Sequence, residues 1–141
     1  MWSFVGRAHT LGVRGAAFDA AGRVFLVRHT YVAGWHMPGG GVDVGETCHA
    51  ALARELAEEG HLQFGDPPAL FGTYHNTRTT RRDHVALYVC RNIRQTRPHR
   101  GDREIAEAGF FALHALPDTT TPATRRRLAE IAGDNPPSPH W

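Results

Sequence analysis

Lysine is absent from the sequence, whose 16 basic residues are all arginines. This absence excludes a Schiff-base lysine and the lysine of a Walker-type phosphate loop. Cysteine is nearly absent too, and Cys48 and Cys90 are too few and too far apart for a disulfide framework or a zinc knuckle. No run approaches the roughly 20 apolar residues that a membrane-spanning helix needs, and the first residues lack the apolar core of a signal peptide. We therefore expect a cytoplasmic protein without membrane contacts.

The composition is that of an ordinary globular domain. Hydrophobic residues make up 41% of the 141 residues and charged residues 21%, which is typical of neither a disordered chain nor a membrane protein. The length corresponds to one domain. We predict a single domain over residues 1–133, followed by a flexible C-terminal tail over residues 134–141, which contains three prolines.

The arginines are unevenly distributed, although the formal net charge is only +2. Eight of them lie between residues 78 and 103. Such a cluster can attract an anionic, phosphate-bearing substrate, and Arg78 is a candidate for contacting it. The alternative for any single member is a solvated, arginine-rich hairpin.

The N-terminal third predicts two strands and a glycine loop. Gly12–Phe18 and Arg23–His29 are apolar and β-branched, and the turn signal at residues 19–22 between them predicts a β-hairpin. The run Gly39–Gly41 suits neither a helix nor a central strand. We interpret it as a loop whose backbone can approach a ligand closely.

A helix follows over Cys48–Glu59, where apolar residues recur at helical spacing in an alanine-rich background. Thr47 is a suitable N-cap, and Gly60 is the expected stop signal because glycine accepts the left-handed conformation. Strands over Ala69–Thr77 and His84–Arg91 should then pair as an antiparallel ribbon. A short strand over 108–113 and a second helix over 121–132 complete the predicted elements.

The chemically informative feature is a cluster of acids at the end of the first helix. Glu55, Glu58 and Glu59 stand at positions i, i+3 and i+4, so their carboxylates share one helix face. They repel one another and oppose the helix dipole, and Arg54, which can reach Glu58 at i+4, balances only one of them. A hard divalent cation would compensate the rest. A solvated acidic helix face is the alternative.

A longer pattern favours the cation. Gly40 is followed after five residues by Glu46, and after seven more by the run Arg54-Glu55-Leu56-Ala57-Glu58-Glu59. This segment resembles the signature box of the Nudix hydrolases, G-x5-E-x7-R-E-U-x-E-E-x-G-U with U apolar. The one departure is His61, which stands where the family has glycine. Either His61 adopts the left-handed conformation or the helix closes one residue sooner.

The resemblance implies a fold and a reaction. The fold would be an α/β/α sandwich with a mixed β-sheet, in agreement with the predicted order of strands and helices. The reaction would be hydrolysis of a diphosphate bond in a nucleoside diphosphate linked to another moiety. Water activated by Mg²⁺, or by Mn²⁺, would attack phosphorus.

The resemblance also implies roles for the box residues. Glu55, Glu58 and Glu59 would bind the metal, together with the backbone carbonyl of Gly40, although Glu55 is alternatively the general base. Arg54 would orient a glutamate through a salt bridge. The supporting positions would be Gly39, Gly41 and Glu46.

Two further groups of residues are candidates outside the box. A second acid often completes such sites, and Glu104 or Glu107 could provide it unless both are surface residues. Substrate contacts would come from Trp35, His36, Tyr74 and Arg78, although aromatic residues on strands more often belong to the core.

Other functions on the same fold stay open. One is a nucleotide-sensing module without catalysis, which the intact acids disfavour. The other is an isoprenoid diphosphate isomerase, for which neither cysteine has a recognisable context. The expected partner is a small nucleoside diphosphate derivative; nucleic acid is not expected, but a capped or 5′-phosphorylated RNA stays open, and the family suggests a homodimer.

Overall fold

The computed structural model describes residues 9–78 and 80–141. Within these two ranges the chain forms nine β-strands, two α-helices and a single 3-10 turn. The strands are β1 (Thr10–Ala17), β2 (Val24–His29), β3 (Trp35–His36), β4 (Gly39–Gly41), β5 (Leu62–Gln63), β6 (Ala69–His75), β7 (Asp83–Cys90), β8 (Arg94–Gln95) and β9 (Ile105–Phe111), and the helices are α1 (Cys48–Gly60) and α2 (Pro122–Ile131).

The largest sheet is mixed. Its strand order is β4-β1-β7-β6, in which β1 runs parallel to β7 while the outer pairs, β4 with β1 and β6 with β7, are antiparallel. A second, antiparallel sheet has the order β3-β2-β9, and β5 pairs with β8. The predicted antiparallel ribbon is thus confirmed as β6 and β7.

Alternation along the strands sorts the core into two layers. On β1, Val13 and Ala17 pack on the α1 side with Leu52 and Leu56, whereas Ala16 belongs to the cluster that contains Leu128 of α2. Successive side chains of a strand point to opposite faces, so each helix covers one face of the sheet layer. The predicted α/β/α sandwich with a mixed sheet is confirmed.

The predicted hairpin between the first two strands is wrong, although its turn is present. The Asp19 carboxylate accepts hydrogen bonds from the backbone N–H groups of Ala21 and Arg23, at 3.0 and 2.9 Å. Beyond the single bridge between Phe18 and Val24, however, β1 and β2 lie in different sheets. A local turn signal specifies the turn, but the strands choose partners by long-range packing.

The predicted glycine loop is instead the short strand β4, at the edge of the mixed sheet. Close approach explains the glycines. A Cβ atom at Gly39 would overlap the carbonyl oxygen of Val13, and one at Gly40 would lie 2.5 Å from Oε1 of Glu55. Strand β4 can therefore join β1 on one side and approach the glutamates on the other.

Helix α1 begins as predicted and ends differently. The Thr47 hydroxyl accepts a hydrogen bond from the N–H of Ala50 at 3.0 Å, as an N-cap does. Gly60 is still helical, and His61 takes the left-handed conformation, with φ 54° and ψ 40°. A Cβ at Gly60 would lie 2.5 Å from the ring of Phe25. Gly60 therefore provides space, and the prediction that it provides the left-handed stop is wrong.

The C-terminal residues lie against the domain, where three prolines led us to expect a loose tail. The N–H of Ser138 donates to the Glu130 carboxylate at 3.0 Å. The backbone of His75 in β6 accepts a hydrogen bond from the N–H of Trp141 at 3.0 Å and donates to the carbonyl oxygen of Pro139 at 2.8 Å. A proline lacks only its own N–H, so the other groups of the segment still form these bonds.

The predicted second helix is confirmed as α2, and Leu128 is buried as expected. In the part of the chain that the structure describes, no helix is both long and apolar enough to cross a membrane.

Candidate active site

Five carboxylates line one cavity of about 550 Å³ beside the second half of α1. The helix contributes three of them, and the segment that precedes β9 contributes two. The three glutamates of α1 therefore do face a common space, next to Gly39 and Gly40 of β4. The five acids are Glu55, Glu58, Glu59, Asp102 and Glu104.

Glu59 is the most firmly held of these acids. It is 6% exposed, and its Oε2 accepts a hydrogen bond from the backbone N–H of Gly39 at 2.7 Å. Its Oε1 lies 3.3 Å from Nε2 of His29. The other ring nitrogen of His29, Nδ1, is buried and has no hydrogen-bond partner among the described residues. Strand β4 and the end of β2 thus fix the orientation of Glu59.

Glu55 is held less favourably. Its Oε1 accepts a hydrogen bond from Nη1 of Arg54 at 2.8 Å, and its carboxylate lies directly against Gly40. Burial raises the pKa of Glu55, the charge of Glu59 raises it further, and Arg54 opposes both effects. Two adjacent carboxylates in a partly desolvated position disfavour their own charged forms, which a bound cation would reverse.

Arg54 is the centre of an acidic network. It forms a bidentate pair with Glu46, through Nε and Nη2, at 2.8 Å each, and donates to the carbonyl oxygen of Gly41 at 3.1 Å. Glu46 also accepts the N–H of Asp43 at 2.9 Å, and the Arg54 guanidinium lowers the pKa of Glu46 to about 2. The predicted contact with Glu58 is the longest of the Arg54–glutamate pairs, at 3.7 Å.

The donor set fits a hard divalent cation in chemistry and charge, because the cavity offers carboxylate oxygens in excess of cations. It does not form a closed ligand set. Within the described residues, no group of three histidines, cysteines, aspartates or glutamates is close enough to hold a metal ion as the side chains stand. Glu59 is fixed, whereas the Glu58 side chain is 61% exposed, and its one ion pair among the described residues is the 3.7 Å contact with Arg54.

A second cavity, of about 380 Å³, continues from the first on the α2 side of the sheet. The two cavities share His29, Tyr31, Gly39 and Gly40. Two of the predicted substrate-binding residues, His36 and Arg78, line this second cavity. Burial lowers the pKa of His36, whose Nε2 lies 3.0 Å from the carbonyl oxygen of Ala33.

The other two aromatic candidates lie in the core. The Trp35 ring is buried and contacts the ring of Phe111 edge to face, with 5.0 Å between the centroids. Tyr74 is also buried, and its hydroxyl donates to Glu130 at 2.8 Å, which together with burial raises the pKa of the tyrosine. Neither residue lines either cavity.

The two candidates for a second acid are separated by the structure. Glu104 lines the acidic cavity. Glu107 lies opposite Arg28 on neighbouring strands and forms an exposed ion pair with it at 2.7 Å. The structure thus places Glu104 with the cluster and Glu107 outside it.

Sequence reasoning missed several residues that border these cavities, among them Asp102, Arg14 and Trp141. Asp102 is anchored by the N–H groups of Ile105 and Glu104, at 2.7 and 2.8 Å, which lower its pKa. Aspartate often accepts hydrogen bonds from backbone N–H groups two residues on in a turn, so the sequence could have indicated a fixed Asp102. Arg14 is a single polar residue within a strand pattern, and Trp141 lies in the predicted tail. Neither position therefore indicated a site residue.

Comparisons with known proteins agree with this arrangement. A family model described as NUDIX domain matches residues 8–131. The "Putative mutator protein MutT4" of Mycobacterium tuberculosis is 32% identical over 104 residues, which cover 71% of this chain and 41% of that protein. The "Putative 8-oxo-dGTP diphosphatase 2" of the same species is 53% identical over 55 residues, 38% of this chain and 37% of that protein. These matches thus span less than half the length of either relative.

Solved structures show the same fold. The MutT NUDIX hydrolase from Burkholderia pseudomallei has a TM-score of 0.73 at 24% identity, covering 88% of this chain and 98% of its own. A NUDIX hydrolase from Nitrosomonas europaea has a TM-score of 0.72 at 20% identity, covering 90% of each chain. The chain belongs to the Nudix hydrolase family and is MutT-like, which confirms the resemblance carried by the signature box.

Proposed function

We propose that the protein is a divalent-cation-dependent hydrolase that cleaves a diphosphate bond in a nucleoside diphosphate derivative. The observation that carries the proposal is the excess of negative charge in the acidic cavity. Five carboxylates line it, and it continues into a second cavity large enough for a small-molecule ligand. Membership of the Nudix family supports the same class of reaction.

The reaction is hydrolysis at phosphorus. The oxygen of a water molecule forms a bond to one phosphorus atom while the bond from that phosphorus to the bridging oxygen breaks, and the water protons pass to the site and the products. When bound, a divalent cation neutralises phosphate charge and makes water a stronger nucleophile. We propose Mg²⁺ as the physiological ion and Mn²⁺ as a substitute, because hard cations take oxygen ligands.

The residues of the site have different roles in this reaction. Glu55, Glu58 and Glu59 would hold the cation, and the N–H of Gly39 orients the Glu59 carboxylate for this role. Arg54 is a positioning residue, because it fixes Glu55 through Nη1. Glu46 holds Arg54 in turn through a bidentate pair. Glu104, which faces the same cavity, is our candidate for the second acid.

Related proteins suggest the range of substrates to test. The names of relatives and of structural neighbours include an 8-oxo-dGTP diphosphatase, a UDP-X diphosphatase and an ADP-ribose pyrophosphatase. Their shared chemistry is a nucleoside joined through a diphosphate to another group. The homodimer and the cytoplasmic location remain predictions, and a capped or 5′-phosphorylated RNA stays open as a substrate.

The test is a screen of nucleoside diphosphate derivatives with Mg²⁺, with Mn²⁺ and with EDTA, in which the product masses are measured. Hydrolysis adds the mass of water, whereas isomerisation leaves the mass unchanged. We expect Glu58→Gln and Glu59→Gln to lower kcat by at least about 100-fold, as loss of metal-binding and charge-stabilising groups does.

The matched control is Glu107→Gln, which removes a carboxylate outside the cavity. Its turnover should stay within about twofold of wild type, and all variants should melt as cooperatively as wild type. Full turnover in both the Glu58 and Glu59 variants would refute the site, and turnover in EDTA would refute the cation dependence. Nucleotide binding without any product would favour the sensing module.

A further inference from the structure

Trp141 is held in place by contacts with β6 and with α2. Its N–H donates to the backbone of His75 in β6 at 3.0 Å. Its ring lies edge to face with the ring of Tyr74, with 5.4 Å between the centroids, and the guanidinium of Arg127 lies 5.4 Å from the indole centroid. These contacts hold the indole in one orientation.

The remaining surface of Trp141 faces a ligand-sized space. Trp141 is partly exposed and lines the 380 Å³ cavity that continues from the acidic cavity. It also lines a smaller cavity of about 250 Å³ over β1, which contains Gly40 and Arg14 as well. An aromatic surface therefore lies along the same cleft as the catalytic glutamates, with Gly40 between them.

Arg14 supplies positive charge between the aromatic wall and the acids. Its Nη1 donates to the carbonyl oxygen of Met37 at 2.7 Å, and among the described residues it forms no ion pair with a carboxylate. It lines both of the cavities that Trp141 lines. A guanidinium without an acidic partner favours an anionic ligand group, such as a phosphate, at this point of the cleft.

We propose that Trp141 determines substrate specificity by forming the wall against which the planar base of a nucleotide lies, with its phosphates extending past Arg14 toward Glu55 and Glu59. This inference rests on the proposed function and deepens it. Indole has a large π-face on which a base can stack, and loss of such stacking weakens nucleotide binding by about fivefold or more. The occupant is planar and anionic, because the wall is aromatic and Arg14 has no carboxylate partner among the described residues.

The test compares ligands that differ only by the base. Binding of AMP, GMP, CMP and UMP, and of ribose 5-phosphate as the base-free probe, is measured by titration calorimetry in EDTA, so that no turnover occurs. We expect Trp141→Leu to weaken the tightest-binding nucleotide about fivefold or more, and Trp141→Phe to weaken it less. Ribose 5-phosphate should change by less than about twofold in both, whereas Arg14→Gln should weaken all ligands.

His140→Ala is the matched control, because it alters the same segment without removing the aromatic wall. It should bind every ligand as wild type does. Trp141→Phe keeps the ring, so a folding defect in the leucine variant would not remove the test. Equal weakening of nucleotide and ribose 5-phosphate, unchanged binding in both Trp141 variants, or no nucleotide binding by wild type would each overturn the proposal.

The two proposals fail in different ways. Base-dependent binding through Trp141, without hydrolysis of any substrate, would contradict the proposed function and support the specificity wall. Hydrolysis with unchanged KM and unchanged base preference in Trp141→Leu would support the enzyme and contradict the wall.

Discussion

Each of the two helices carries an arginine in a bidentate pair with a glutamate, and the two pairs have opposite surroundings. On α1, Arg54 binds Glu46 and Glu55 and is 30% exposed. On α2, Arg127 binds Glu130 at 2.9 and 2.8 Å and is completely buried. The local geometry of the pairs is almost the same, so geometry alone does not distinguish a site from a structural contact.

Charge balance does distinguish them. Around Arg127, one arginine meets one glutamate, and neutral donors from Tyr74 and Ser138 complete the carboxylate. Around Arg54, by contrast, four carboxylates lie within 4 Å of a single guanidinium. A balanced, buried pair stabilises one conformation, whereas an excess of acids leaves acceptors available for a cation.

The largest expected effect is a loss of stability from the balanced network. Arg127→Met keeps the length of the side chain but leaves Glu130 buried without its cation. Breaking a buried pair in this way costs about 3–5 kcal/mol, which should lower Tm by about 10 °C or more. The exposed neighbour Arg125 is the control, because Arg125→Met should change Tm by less than about 2 °C. A Tm of Arg127→Met within that same margin would abolish the distinction between the two networks.

A smaller effect, on catalysis instead of stability, is expected from the acidic network. Arg54→Ala removes the group that orients Glu55, so kcat/KM should fall about 10- to 100-fold, as it does when residues supporting metal ligands are lost. Its Tm should change by less than about 2 °C, because the arginine is partly exposed. Arg28→Ala, which breaks an exposed pair away from the cavity, is the control. If Arg54→Ala lowered Tm but left kcat/KM unchanged, the positioning role that we assign to Arg54 would be wrong.

The smallest effect concerns how the free energy of unfolding changes with pH, which should differ in sign between Glu55 and Glu130. The pKa of Glu55 is raised by burial and by Glu59, so its contribution to stability is present below the unfolded value of 4.5 and is lost as pH rises through the folded pKa. Glu55→Gln should therefore stabilise the metal-free protein at pH 7, by about 0.2–0.5 kcal/mol, with no gain near pH 4.

Glu130 gives the opposite sign. Burial would raise its pKa, but the bonds from Arg127 and Ser138 lower it overall, so its contribution is present above 4.5 and is lost as pH falls through the folded pKa. Glu130→Gln should destabilise the protein at pH 7, and progressively less on acidification. Urea unfolding of both variants from pH 8 down to about pH 3 covers both pH windows and measures the two signs, and equal signs would contradict the comparison.

The sequence predicted the acidic network better than the balanced one. The box from Gly40 to Glu59 has fixed offsets along one strand and one helix, and its central contacts, such as Arg54 with Glu46 and Glu55, join residues close in sequence. Arg127 and Glu130 stand at i and i+3, a spacing typical of an exposed helix face, but Tyr74 and Ser138 contact Glu130 and the pair is buried. Contacts between distant segments decided what the sequence could not predict: the partners of β1, the burial of Trp35 and the place of Trp141.

His61 shows that a glycine position in the signature box represents a backbone conformation that another residue can adopt. The pattern asks for one glycine after the helix, and this chain divides the task between two residues: Gly60 leaves room for Phe25, and His61 supplies the left-handed turn, its N–H bonded to the carbonyl oxygen of Ala57 at 3.0 Å. A non-glycine residue pays about 1–2 kcal/mol for that turn. A motif search that requires glycine at this position would therefore discard chains that adopt the same backbone conformation with other residues. A search based on backbone dihedral angles would retain them.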